Sequence, residues 1–155
     1  MGSEATRKYA GRTGALLAFL FWLGTAGAAP AAEFQYRSLE EALRLAGAEN
    51  KLVMIFFWAE WCGYCDLLRR EVFSDPKVHE VFDRDFLAVS VNIEDDPENL
   101  AGKYRARALP TLIFLKPDGE PVGFLPGAVN VETFLKILDY LVENQGAALD
   151  RDSAN

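Results

Sequence analysis

Apolar and polar positions alternate along this chain in two periods, one of helices and one of buried strands. Ser38-Leu39-Glu40-Glu41 has the form of a capping box, in which the Ser38 hydroxyl accepts from the Glu41 amide and Glu41 reaches back. Leu39, Ala42, Leu43 and Ala46 then recur on one helical face, and Gly47 and Asn50 end the helix. Leu52-Val53-Met54-Ile55-Phe56-Phe57-Trp58 does not alternate, which predicts a strand covered on both faces. Asp66 to Phe73 reads as helix, with Leu68 and Val72 four apart. Ser74-Asp75-Pro76 restarts a helix, with Asp75 as cap, Pro76 at the first position, and Val78, Val81 and Phe82 inward.

Phe86 to Ile93 is a second buried strand, and Asp95-Asp96-Pro97 opens a short helix through Lys103, its acidic start matched to the helix dipole. Leu112 to Leu115 and Pro121 to Leu125 are strands joined by the turn Lys116-Pro117-Asp118-Gly119, a link too short for a crossover, so they run antiparallel. Pro126-Gly127 breaks the pattern. Asn130 caps a last helix with Val131, Phe134, Leu135, Leu138 and Leu141 on one stripe. Residues 145–155 read as a small, polar, disordered tail. The order predicts an α/β fold: one domain over 38–144, a sheet with helices on both faces, and no internal repeats.

Composition agrees with one such domain, since half of the 155 residues are hydrophobic and a quarter charged. The net charge of −7 argues against nucleic acid and anionic membrane surfaces as partners.

The first residues differ from the rest. Arg7, Lys8 and Arg12 precede the apolar run Ala15 to Leu23, followed by small residues from Gly24 to Ala32. This is the layout of a secretory signal, assigned to residues 1–28, with a lead-in segment over 29–37. Ala26-Gly27-Ala28 and Ala29-Pro30-Ala31 both fit the cleavage pattern. The alternative is an uncleaved anchor over residues 13–32, which hold no charge and have about the ~20-residue length of a span. Either way the domain faces the periplasm or exterior. Met1-Gly2-Ser3-Glu4-Ala5-Thr6 matches a myristoylation pattern, which the signal directly behind it makes a chance match. Cleavage after Ala28 removes three basic residues and one acidic one, taking the charge from −7 to −9. It also leaves both cysteines where disulfides persist.

Those two cysteines, Cys62 and Cys65, lie directly after the first strand, with a helix starting at them. A cysteine at a helix N-terminus has its thiolate stabilised by unpaired amides and the dipole. The thiolate is the attacking species in disulfide exchange, and a second thiol one turn on can resolve the mixed disulfide. Three chemistries compete for such a pair. A closed zinc site needs about four ligands, and the chain adds only His79, so no metal site is expected. A copper carrier needs fewer ligands and stays open. A purely structural disulfide stabilises little across so short a loop. Redox function fits best and requires no cofactor.

At this point the sequence resembles the thioredoxin family. Phe57-Trp58-Ala59-Glu60-Trp61-Cys62-Gly63-Tyr64-Cys65 is similar to the family's active-site segment, Leu109-Pro110-Thr111 to its cis-proline loop, and Gly127 to a family glycine. The helix after Cys65, followed by Ser74-Asp75-Pro76-Lys77-Val78, resembles the exported branch, which includes SoxW-type periplasmic thioredoxins and the C-terminal domain of DsbD. The resemblance implies a thioredoxin-like fold with a central mixed sheet. It implies Cys62 as nucleophile, Cys65 as resolving thiol, and a cis Pro110 whose loop lets Leu109 pair with an extended substrate. It makes Trp61, Gly63 and Tyr64 substrate-contacting residues, although plain packing also explains Trp61 and Tyr64.

Two positions depart from the family. The buried acid that serves the resolving thiol is replaced by Phe56, and the lysine that pairs with it by Ser90. Glu60 is a candidate proton relay in its stead, against the plainer reading of a solvated surface carboxylate. Slower deprotonation of Cys65 is therefore expected, with faster release of the mixed disulfide in Phe56→Asp as its test.

The expected function is an exported thiol-disulfide oxidoreductase that reduces disulfides of periplasmic proteins such as apocytochromes or sulfur-carrier enzymes. It would act as a monomer fed by a membrane thiol donor. The alternatives are an oxidase or isomerase of secreted proteins, or a copper metallochaperone using Cys62 and Cys65.

Overall fold

The computed structural model describes residues 38–152, with side chains to Asn144. The expected signal, anchor and lead-in segment lie outside the described residues. Five α-helices, one π-helical segment and four strands follow among these residues, in the order α1 (Leu39–Glu49), β1 (Leu52–Trp58), α2 (Gly63–Leu67), the π-helical segment (Leu68–Phe73), α3 (Pro76–Asp85), β2 (Phe86–Asn92), α4 (Leu100–Lys103), β3 (Thr111–Leu115), β4 (Pro121–Pro126) and α5 (Val131–Asp152).

The sheet order is β2-β1-β3-β4. β1 runs parallel to β2 and antiparallel to β3, and β4 is antiparallel to β3, so the sheet is mixed as expected. β1 lies inside the sheet, and its unbroken apolar run has a direct cause. Leu52, Met54 and Phe56 point into one core, while Val53, Ile55 and Phe57 point into the other. The first core is closed by the π-helical segment, α3 and α5 through Leu68, Phe73, Val78, Phe134 and Leu138; the second by α1 and α4 through Ala42, Ala46 and Leu100. Each fully buried Phe or Leu contributes about 1.5–3 kcal/mol.

Helix starts follow the capping chemistry of the sequence. Ser38 Oγ accepts from Glu41 N–H at 3.1 Å, and Asp75 Oδ1 from Lys77 N–H at 2.8 Å. Three elements differ from the reading of the sequence. The helix through Phe73 is α-helical only to Leu67 and then widens into π turns. α4 begins at Leu100 rather than at Asp95, because both Asp96 carboxylate oxygens accept helix amides, from Leu100 at 2.9 Å and Ala101 at 2.8 Å, and hold Asp95 to Asn99 as turns. α5 continues to Asp152, so the segment expected as a disordered tail from Gln145 is helical up to that residue. No helix among the described residues is long and apolar enough to cross a membrane.

Candidate active site

β1 ends at Trp58, and one turn delivers the chain to Cys62, whose N–H donates to Ala59 O at 3.1 Å. Cys62 is the N-cap of α2, with extended backbone (φ −87°, ψ 90°), and its Sγ accepts from Cys65 N–H at 3.2 Å. The sulfur thus stands where a serine or aspartate cap oxygen ordinarily sits, facing the unpaired amides of a helix start. Cys62 and Cys65 are joined in a disulfide, with Cα atoms 5.2 Å apart. Cys62 is 6% exposed and Cys65 0%, which separates an approachable sulfur from an enclosed one.

The flanks are open. Trp61 and Tyr64 are 68% and 70% exposed, so neither is held by packing. Trp61 Nε1–H donates to Glu94 Oε1 at 3.2 Å, and Glu94 N–H donates to Asn92 Oδ1 at 3.1 Å, which ties the indole to the end of β2. At Gly63 an added Cβ would meet nothing within 4 Å, so the space over α2's first turn is free. Glu60 is exposed on the preceding turn.

The opposing loop has the expected form. The Leu109–Pro110 peptide is cis, and Thr111 Oγ1 donates to Ala108 O at 2.7 Å. Gly127 N–H donates to Pro110 O at 2.7 Å, from a backbone at φ +81° that favours glycine. A groove of 680 Å³ runs between Tyr64 and Val72 on one side and Leu109, Pro110, Gly127 and Val131 on the other. It gathers Tyr64, Leu109 and Pro110 from the sequence-expected set. Trp61, Gly63 and Glu60 lie outside its lining.

Behind the disulfide, Phe56 is fully buried, opposite Ser90 in the β1–β2 register, so neither supplies a charge. Two contributing residues escaped the sequence reading. One is Glu94. The other is Arg69, whose guanidinium lies 4.0 Å from the Trp58 ring centroid and 5.4 Å from that of Phe56, and which pairs with Asp66 at 3.2 Å. A single arginine on a helix carries no periodic signal. Its position seven residues after Cys62, on the face of both cysteines, was the available clue. His79 is half-buried on α3, with Nε2 2.7 Å from Phe73 O, to which it donates. Among the described residues no group of three or more His, Cys, Asp or Glu is placed to hold a metal.

A disulfide at a strand-to-helix junction, faced by a cis-proline loop within a mixed sheet, defines a thioredoxin-like fold. The family model described as thioredoxin-like domain matches residues 39–142, and the chain belongs to that family. The solution structure of a thioredoxin from Thermus thermophilus superimposes with TM-score 0.64 at 34% identity, covering 72% of this chain and 89% of that one. The oxidised DsbD C-terminal domain of Neisseria meningitidis gives TM-score 0.55 at 25% identity, over 66% and 91% of the two chains. The thiol:disulfide interchange protein DsbD of Pseudomonas fluorescens is 28% identical over 102 residues, which is 63% of this chain but 18% of that protein. With its Cys62–Cys65 pair the protein is a thioredoxin-like thiol-disulfide oxidoreductase.

Proposed function

We propose that this protein is exported and reduces disulfides of periplasmic proteins, cycling Cys62 and Cys65 between dithiol and disulfide. The observation that carries the exchange chemistry is the Cys62 Sγ at the N-cap of α2, accepting the Cys65 amide at 3.2 Å beside the Pro110 groove. In the reduced protein the Cys62 thiolate attacks one sulfur of a substrate disulfide. The substrate S–S bond breaks, a Cys62–substrate disulfide forms, and the released sulfur takes a proton from water. Cys65 then loses its proton to solvent or to Glu60, attacks Cys62 Sγ and expels the second substrate thiolate. Two electrons and two protons pass to the substrate. A membrane dithiol restores the pair by donating two electrons, closing the cycle.

Leu109, beside the cis Pro110, offers its backbone to an extended substrate strand, and the exposed Trp61 and Tyr64 offer apolar contact. Export is supported by the signal-like sequence of residues 1–28, and exchange with protein disulfides by similarity to the thiol:disulfide interchange protein DsbD; the reducing direction rests on the resemblance to exported thioredoxins.

The test is trapping. Cys65→Ser should accumulate a mixed disulfide with periplasmic proteins, and Cys62→Ser none. Reduction of insulin disulfides by the wild type, with a reduction potential near thioredoxin's roughly −270 mV, fits a reductant. A value near −120 mV would reverse the direction to oxidation. Stoichiometric copper(I) binding without insulin reduction would replace it with metal delivery.

A further inference from the structure

We propose that Arg69 is a positioning residue for the exchange reaction: its guanidinium, held over the Trp58 ring, stabilises the Cys65 thiolate. This rests on the dithiol cycle above.

Cys65 is 0% exposed in a cluster with Phe56, Leu68, Phe73 and Phe134. Burial among apolar groups disfavours a thiolate, yet resolution requires one. Phe56 and Ser90, the paired β-strand positions behind the site, provide no charge. Arg69 follows Cys65 by four residues, close to one turn on, across the junction of α2 and the π-helical segment. It sits in the second position of the π-helical segment, where the helix widens, and such widenings recur at functional sites. The guanidinium is immobilised on three sides, by Trp58 at 4.0 Å, Phe56 at 5.4 Å and Asp66 at 3.2 Å. The indole keeps water from one of its faces, so its charge acts through a medium of low polarisability.

Other charges around the thiol are few. On its own helical stretch the charged or titratable groups are Tyr64, Asp66, Arg69, Arg70 and Glu71; the preceding turn presents Glu60, and α5 presents Glu132 across the groove. β1 and the cis-proline loop present Phe56, Trp58, Leu109 and Pro110, which do not titrate. Asp66 opposes Arg69, but its side chain is 56% exposed against 31% for the arginine, so water screens the carboxylate more strongly.

The balance of the step is unchanged. Cys65 gives its proton to solvent or to Glu60, the S–S bond between Cys62 and substrate breaks, the Cys62–Cys65 bond forms, and the electron pair leaves with the substrate thiolate. Arg69 changes the fraction of Cys65 that is thiolate and, through the acidity of the thiol, the nucleophilicity of that thiolate.

The test is a titration of Cys65 by thiolate absorbance in the full chain carrying Cys62→Ser, which keeps a capping side chain on α2. Adding Arg69→Met, an apolar side chain able to cover Trp58, should lower the thiolate fraction at pH 7 about tenfold, while Arg69→Lys restores part of it. Adding Asp66→Asn instead should raise the fraction severalfold by releasing the guanidinium. With Cys62 present, mixed-disulfide release in Arg69→Met should slow about three- to fourfold, because the weaker acid gives the better nucleophile. An unchanged titration in Arg69→Met, or a lower thiolate fraction in Asp66→Asn, overturns the proposal. Should Arg69→Met not fold, Arg69→Gln, which removes the charge but keeps a long polar side chain, decides in its place, and an unchanged titration there overturns the proposal. The titration uses no substrate, so it reads Arg69 separately from whether the protein reduces, oxidises or only binds its partners.

Discussion

Replacing Phe56 by aspartate puts a carboxyl into the most enclosed part of the site, and the structure says what happens to it. The wild-type ring is 0% exposed and meets Phe73 edge-on, with centroids 5.2 Å apart at 87°. Removing such a ring costs about 3–5 kcal/mol. Two effects then compete for the new carboxyl. Full burial raises a carboxyl pKa by up to about 3–5, or roughly 4–7 kcal/mol against the ionised form. Arg69, whose guanidinium lies 5.4 Å from the wild-type ring centroid, would attract it by about 3 kcal/mol at an effective dielectric near 20. Because Arg69 is 31% exposed and already shared with Asp66, less than half of that attraction is available.

Desolvation wins, so the folded pKa lies above the unfolded value of about 3.9. As pH rises past that value the unfolded state releases its proton first and binds fewer protons than the folded state. Stability of the variant therefore falls with rising pH, by up to about 1.4 kcal/mol per pH unit, until the folded pKa is reached. Urea denaturation of oxidised Phe56→Asp beside Phe56→Leu, at pH 5, 6, 7 and 8, measures it. Expected is a loss of about 4 kcal/mol against wild type at pH 5, deepening by roughly 1–3 kcal/mol by pH 7, with no such trend in Phe56→Leu. A pH-independent difference would refute the reasoning, since it would mean that Arg69 keeps the carboxylate ionised inside the fold.

Three further outcomes follow from the site. Gly63→Ala should raise thermal stability by about 0.5–1 kcal/mol, since the added Cβ meets nothing and alanine loses less entropy in a helix; turnover should fall only if substrate approaches there closely. Gly127→Ala should destabilise by at least ~1 kcal/mol at φ +81°, and a raised KM for a protein substrate would report weakening of the Gly127–Pro110 hydrogen bond. Trp61→Phe removes the exposed bond to Glu94 and should change stability by no more than ~0.5 kcal/mol in denaturant, while Glu94→Gln, which keeps an acceptor, should leave the Trp61 fluorescence maximum unmoved.

Much of the site was legible because its physics is local. An apolar run buried on both faces specified β1, and cap residues specified the starts of α1 and α3. The position of Cys62 after a strand specified its place at a helix terminus. The cis Pro110 came from resemblance, since nothing local in Leu109-Pro110-Thr111 selects the isomer. What the sequence hid depends on contacts between distant segments or on hydrogen-bond register. Glu94 and Trp61 lie thirty-three positions apart and meet only after β2 is laid beside β1. The π turns at Leu68–Phe73 leave the apolar spacing of Leu68 and Val72 intact, so periodicity could not reveal them. The late start of α4 reflects one carboxylate, Asp96, choosing amides farther along than its neighbours suggested.

Cys65 is part of the hydrophobic core, and that has an electrochemical consequence. Breaking the disulfide exchanges one S–S bond for two thiols inside a packed cluster, so oxidation state and folding form a closed thermodynamic cycle. The difference in unfolding free energy between the oxidised and reduced proteins equals the difference in disulfide stability between the folded and unfolded chains. For a two-electron couple about 30 mV corresponds to 1.4 kcal/mol. A pair of urea titrations, one with the disulfide and one without, is therefore a voltmeter for this protein, and any core substitution that favours one redox form of the packing shifts its reading.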